Sequence, residues 1–374
     1  MNLPGAYLHI PFCAHRCTYC SFVALTGLEH EDRYHRALVR EIVDRRAETD
    51  LPFDTVYFGG GTPSFVSPRL LEDALAALRG GAGIGKDAEI TAEANPDDLD
   101  SARVDALRSI GVNRLSMGVQ TLSDEELPWL ERRHDAAGAR RALAMATEAF
   151  PRVSADLMAG IPGQTRGSLA ESLAGILASG VQHLSVYLLE IEKAPRLVAL
   201  QKERPDLFPG DDELASFWED VHRTATAAGF VRYELSNWAL PGYESRHNLK
   251  YWTAQPTVGF GVSATGFDGR VRRTNTGSTN EYVKRVLEGQ SAEAVRVELS
   301  EEEATRESIL LGLRLHDGVT EESFGRVTAT LSRGDRERLE DAREAGLLEF
   351  SRSGRVRLTE KGVLLSNEVF SAFV

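Results

Sequence analysis

Every cysteine in this chain falls inside one short loop: Cys13, Cys17 and Cys20, within the stretch GAYLHIPFCAHRCTYCSF that covers residues 5–22. With three and then two residues between them, three thiolates can be aimed from one loop at a common inorganic centre. The rest of the chain must therefore hold that loop on a firm rim. A [4Fe–4S] cube that only carries electrons takes four protein thiolates. Three leave one iron open to a small ligand bearing an amine and a carboxylate, and radical chemistry comes within reach. On these residues alone two other readings stay open, a Cys17-x-x-Cys20 redox pair and a Cys₃His zinc site completed by His9 or His15.

The remainder alternates short apolar runs with segments of helical period, the pattern of βα units around a parallel sheet. Strands are expected over 6–12, 55–58, 89–94, 114–119, 153–159 and 183–190, and helices over 31–47, 69–79, 102–109, 136–149, 169–178 and 213–228. Six units make a partial (β/α)6 TIM-like barrel. In such folds ligands collect at the C-terminal ends of the strands. There the chain places Cys13, the run Gly59-Gly60-Gly61-Thr62-Pro63, Glu93, Gln120 and Asp156.

A glycine run after a strand lets backbone N–H groups approach a ligand and form an anion-binding concavity, and it is equally compatible with a bare tight turn. Glu93 at a strand end is placed to accept hydrogen bonds from a ribose, as acidic residues do in other nucleotide sites; a solvated carboxylate is the plainer alternative. Arg132, in Glu131-Arg132-Arg133-His134, could grip a zwitterion or sit at an exposed helix end.

After residue 230 the pattern changes. Residues 231–299 read as an irregular connecting region covering the barrel mouth or its side, with His247-Asn248-x-x-Tyr251-Trp252 and the glycine-rich VGFGVSATGFDG. From residue 300 a capping box, Ser300 to Glu303, opens a helix; two more helices and a hairpin pairing 347–350 with 355–358 suggest a small winged-helix-like α+β domain over 300–374. The run His247-Asn248-x-x-Tyr251-Trp252 sets an imidazole beside two aromatics. A loop in which histidine and asparagine bond backbone fits the same residues.

The C-x₃-C-x₂-C spacing with Tyr19 before the last cysteine, preceded by Tyr7-x-His9-Ile10-Pro11-Phe12, resembles the radical S-adenosylmethionine (SAM) superfamily. Within it the chain is similar to the branch holding oxygen-independent coproporphyrinogen III dehydrogenase and the HemW-type haem chaperones. The resemblance implies a radical SAM partial barrel over 1–230, a [4Fe–4S] cluster on the three cysteines, and SAM as cofactor. It further implies that Gly60, Gly61 and Thr62 hold the methionyl end, that Glu93 and Tyr7 contact the same molecule, and that Gln120, Arg132, Asp156 and Tyr19 match positions gripping a second SAM in the dehydrogenase branch. The motif H-N-x-x-Y-W matches the HemW type and implies haem contacts at His247, Asn248, Tyr251 and Trp252, since imidazole is a standard axial ligand to haem iron and aromatics pack on porphyrin faces.

Two departures favour chaperone over dehydrogenase. Phe22 stands where the dehydrogenase branch has a further cysteine, and twelve residues precede Cys13 where that branch carries a covering segment. The expectation is a haem chaperone that passes haem to apoproteins such as respiratory haem proteins, membrane-associated ones among them. The alternative is oxidative decarboxylation of coproporphyrinogen III. The formal charge of −13 argues against nucleic acid as a partner, since phosphate contacts need clustered Lys and Arg. No apolar run approaches a membrane span of roughly 18 residues, and no basic, apolar leader opens the chain. Cytoplasmic residence is expected, with peripheral membrane association left open.

Overall fold

The structure, a computed structural model, describes residues 2–45, 48–192 and 194–374. Six strands, β1 (Gly5–Ile10), β2 (Phe53–Gly60), β3 (Ile84–Ala94), β4 (Arg114–Gln120), β5 (Arg152–Ala159) and β6 (His183–Leu188), lie side by side in chain order. All five pairings between them are parallel. Apolar and polar residues alternate along most of their length, so that one apolar set packs under the helices and a more polar set faces the other way. Leu8, Val56, Phe58, Ala92, Leu115, Met117, Ala155 and Leu184 are fully buried.

The helices pack through narrow apolar stripes. Helix Glu31–Asp44 buries Tyr34, Ala37, Leu38, Glu41 and Ile42, and helix Pro68–Arg79 buries Leu70, Leu71, Ala74, Leu75 and Leu78, the i, i+3, i+4, i+7 spacing of a core-facing surface. Of the helix expected over 31–47, Arg46 and Ala47 lie outside the described residues. The third helix is capped by Asp100, whose carboxylate accepts from the Arg103 N–H at 2.7 Å.

Residues 231–299 are not an irregular connection. Thr257–Phe260 pairs parallel with the free side of β1, and Thr265–Phe267, Val271–Asn275 and Glu293–Glu298 continue outward as antiparallel strands. Beyond β6 the sheet is extended by Asn237–Ala239 and Val231–Arg232, giving twelve strands in an open order among the described residues. The glycines that make this stretch read as loop serve close packing of backbones. A Cβ on Gly259 would stand 2.6 Å from the Thr265 carbonyl oxygen.

Glu41 ties the extension to the first helix. Buried to 3% exposure, it accepts from the Tyr282 hydroxyl (2.6 Å), the Gly261 N–H (2.8 Å), the Asn275 amide (2.7 Å) and Arg45 (2.6 Å). A buried carboxylate is tolerated where its oxygens are satisfied in this way.

The C-terminal part has the expected helix Glu301–Gly312, with both halves of its capping box formed. Helices Glu321–Thr328 and Arg333–Glu344 follow, then the hairpin of Leu348–Phe350 and Arg355–Leu358, joined by Val319–Thr320.

Candidate functional site

The strand that the sequence reads over 6–12 stops at Ile10. Phe12 and Cys13 leave the sheet and pair instead with Leu25–Thr26, closing the cysteine loop on itself. The loop sits over a cavity of about 420 Å³ whose walls carry Cys13, Cys17, Tyr19, Cys20, Gly60, Gly61, Thr62, Glu93, Gln120, Arg132 and Asp156. Eleven of the twelve residues expected at the cluster and SAM are thus brought together. Tyr7 is not: its hydroxyl bonds His9 Nδ1 at 3.1 Å, and it lines a different cavity.

Among the described residues no group of three or more His, Cys, Asp or Glu converges as a single-ion site. A lone zinc would need its ligands within about 2.0–2.3 Å of one point, whereas a cube takes each thiolate at a different iron. Neither histidine offered for zinc is free. His9 Nε2 faces the Val23 carbonyl at 2.9 Å, and His15 pairs with Glu131 at 3.5 Å. The three sulfurs therefore fit a cluster better than one ion.

Cys13 is buried beneath Thr62, whose hydroxyl donates to its sulfur at 3.4 Å. Burial pushes the Cys13 thiol up to about 11 against that donation. Arg132 reaches the loop from the other side, with Nη1 3.3 Å from the Cys17 sulfur and Nη2 on Asn95 Oδ1 (2.6 Å) and the Gly118 carbonyl (2.5 Å). It is no exposed helix end.

The glycine run does not form the expected anion cradle. The Gly60 N–H donates to Glu93 (3.1 Å), that of Gly61 to the Ile10 carbonyl (2.8 Å) and that of Thr62 to Phe12 (2.7 Å), so each donor is engaged. The glycines are needed for contact between backbones: a Cβ on Gly61 would lie 2.7 Å from Ile10 O and 2.8 Å from Phe12 N, and Gly60 has φ +110° against the His9 ring. The run docks the base of the cysteine loop onto β2.

Glu93 accepts from the Tyr57 hydroxyl at 2.8 Å. Burial lifts its carboxyl to about 7, opposed by that bond and reinforced by nearby Asp156. Asp156 is itself lifted to about 6, chiefly by burial. Two carboxyls that share a cavity and are both raised by burial gain from a hydroxyl or ammonium partner, which would stabilise their ionised forms. Gln120 has φ +70° and a buried Oε1 with no partner; Arg132 Nε is likewise unpartnered. Unsatisfied polar atoms in a buried wall call for a ligand. The donor set, the carboxyls and these two atoms together fit a cluster with an amino-acid-bearing nucleoside.

Asn95 was missed by sequence reading. Its amide donates to Thr62 at 3.0 Å while its carbonyl accepts from Arg132, bridging the residues that touch Cys13 and Cys17. Its signal was available: two residues after Glu93, at the same strand end.

His247 lies elsewhere. It sits on helix Arg246–Trp252, is 1% exposed, and has both ring nitrogens occupied, Nδ1 by Thr55 Oγ1 at 2.8 Å and Nε2 by the Tyr251 hydroxyl at 3.0 Å. It stacks on Tyr57 with ring centroids 5.1 Å apart. Burial, with Lys250 and Arg114, depresses its pKa to about 3. The expected iron ligand is thus a core residue with no free nitrogen. Asn248 is half-buried, its N–H capped by Ser245. Trp252 carries the Arg314 guanidinium 4.4 Å over its ring.

Residues 7–174 match the radical SAM superfamily and 299–365 the HemN C-terminal domain. The chain is 37% identical to the heme chaperone HemW of Bacillus subtilis, covering 100% of this chain and 99% of that one. It is 32% identical to the heme chaperone HemW of Escherichia coli over 98% and 97%. It is 35% identical to bovine mitochondrial radical S-adenosyl methionine domain-containing protein 1, over 93% and 82%. Among solved structures it superposes on coproporphyrinogen III oxidase (HemN) of Escherichia coli with a TM-score of 0.86 and 24% identity, over 100% and 90%, a likeness of fold.

Proposed function

The chain belongs to the HemW family of haem chaperones in the radical SAM superfamily, and on that premise we propose that it binds haem and hands it to apoproteins, respiratory haem proteins among them. What carries the reading is end-to-end likeness to haem chaperones, 37% over essentially both full lengths. In this proposal Cys13, Cys17 and Cys20 hold a [4Fe–4S] cluster. Gly60, Gly61, Thr62, Glu93, Gln120, Arg132, Asp156 and Tyr19, which line the same cavity, contact SAM. When bound, such a cluster supplies single electrons beside a sulfonium.

The chain's own residues do the positioning. Thr62 and Arg132 hold two cysteine sulfurs at fixed places, Asn95 locks those two to each other, and Glu93 and Asp156 offer carboxyl oxygens to ligand hydroxyls. Phe22, 62% exposed, stands two positions after Cys20 where a further cysteine would favour porphyrinogen chemistry.

The test uses anaerobically reconstituted full-length protein. Haem uptake, haem transfer to a haem-free respiratory protein, and turnover of coproporphyrinogen III are measured on one preparation. Uptake and transfer without vinyl product is the expected result. Stoichiometric vinyl product with no transfer would replace chaperone with dehydrogenase. No helix among the described residues is long and apolar enough to cross a membrane, so peripheral association is tested separately by co-sedimentation with vesicles.

A further inference from the structure

A second cavity, about 470 Å³, adjoins the cysteine cavity across Ser21 and Phe22, which line both. Its walls come from β1, the end of the cysteine loop, helix Arg246–Trp252, the strands between 257 and 275 and helix Glu301–Gly312, with Tyr7, Phe22, Tyr251, Phe267, Arg272 and Leu311 among them. Its volume falls within the roughly 300–1,000 Å³ usual for cofactor-sized sites. Aromatic and aliphatic faces suit a flat apolar macrocycle. Arg272, 35% exposed, paired with Glu307 and 5.3 Å over the Phe267 ring, offers a guanidinium to a carboxylate side group.

We propose that this cavity takes ferric haem, that the Tyr251 phenolate is the axial ligand to its iron, and that His247 is the positioning residue behind it. The inference rests on the haem-binding reading above and deepens it. His247 cannot reach iron without giving up Thr55 or Tyr251, whereas Tyr251 lines the cavity and ends a hydrogen-bonded chain from Thr55 through His247. In the tautomer where Nδ1 accepts from the Thr55 hydroxyl, Nε2–H is the donor that faces the Tyr251 oxygen, and this is the tautomer the proposal requires. A phenolate is a known haem ligand type, and a donor fixed behind a ligand sets its orientation and basicity.

Ligation breaks the Tyr251 O–H bond and forms an Fe–O bond. The phenol proton leaves to solvent through the open cavity, the iron stays ferric, and no electron moves. Before haem enters, burial and the nearby Glu93 hold the phenol in its protonated form. Phe22 then forms the wall between macrocycle and cluster loop.

The experiment titrates the full-length chain with ferric haem and records optical and resonance Raman spectra. Wild type is expected to show a phenolate-to-iron charge-transfer band and an Fe–O stretch. Tyr251→Phe loses both and weakens ferric binding by more than about tenfold, while His247→Gln keeps the band, shifts the stretch and weakens binding about 10–100-fold, the usual size of an outer-shell effect. Dithionite reduction weakens wild type more than Tyr251→Phe, because the phenolate favours ferric iron. Leu311→Trp, which fills the cavity, loses haem while its circular dichroism stays that of wild type. Tyr251→Phe with unchanged spectrum and affinity, or Leu311→Trp binding like wild type, overturns the assignment and leaves the chaperone reading standing. A wild-type chain that takes up no haem overturns both.

Discussion

The two cavities on either side of Phe22 are built on opposite plans. The cysteine cavity is a polar bowl at the strand ends, where neighbouring strands each contribute a short, chemically distinctive residue and where Gln120 Oε1 and Arg132 Nε are left unpartnered. The second cavity is flanked by a corner in which hydrogen bonds are already made, with Thr55, His247 and Tyr251 in a chain and Tyr57 stacked on the imidazole. One region leaves unmet bonding capacity at its cavity wall, whereas in the other the imidazole and phenol are satisfied in advance and the unpartnered atoms are Glu89 Oε2 and Trp252 Nε1 beside them. The difference teaches that a motif's residue types do not reveal which of its members faces the ligand.

The largest expected effect comes from replacing any of Cys13, Cys17 or Cys20 by alanine. Iron and sulfide analysis should show loss of the reconstituted cluster, while haem titration still reports uptake on the far side of Phe22. Simultaneous loss of both would merge the two cavities into one functional unit. Gly61→Ala ranks next. Its Cβ would collide with backbone at 2.7–2.8 Å, atoms that cannot swing away, so stability should fall by about 2–4 kcal/mol in a denaturant titration.

The two regions should also carry opposite pH slopes. Glu93 is raised from 4.5 to about 7; its contribution is full below pH 4.5 and is lost as pH rises through 7. His247 is lowered from 6.5 to about 3; its contribution is full above pH 6.5 and is lost as pH falls toward 3. Between 4.5 and 6.5 they partly cancel. Glu93→Gln should therefore steepen acid destabilisation by ~2 kcal/mol across that window, with Asp156, shifted the same way, retaining part of the wild-type slope. His247→Gln should leave the reverse slope in thermal melts. The smallest effect is expected for Asn95→Ala, which removes one bridge between Thr62 and Arg132: about 1–2 kcal/mol of stability and about tenfold weaker SAM binding by calorimetry.

Much of the cysteine cavity was legible because β-strand ends announce themselves. An apolar run stops, a glycine, carboxylate or cysteine follows, and parallel βα order brings successive ends to one rim. Gly60, Thr62, Glu93, Gln120 and Asp156 fell there for that reason, though the glycines' task, docking backbone on backbone, was visible only in three dimensions. Of the second cavity, Tyr251 was legible through its motif, but the cavity itself was not. Tyr7, Phe22, Tyr251, Phe267 and Leu311 come from distant parts of the chain and share no local spacing, and Thr257–Phe260 joins β1 across more than half the sequence. Short glycine-containing strands at 257–275 carry too few residues for a period of two to stand out.

The open order of the sheet leaves two outermost strands, and each is defended against adding a stranger. Val231–Arg232 is only two residues long. Glu293–Glu298 exposes Val295 and Val297, but between and beside them stand Glu293, paired with Arg273 and Arg296, and Glu298, paired with Arg270. Charge interleaved along a rim discourages backbone zippering from another chain. Both boundaries of the sheet are thus non-adhesive, and clumping, where it occurs, should begin from unfolded molecules.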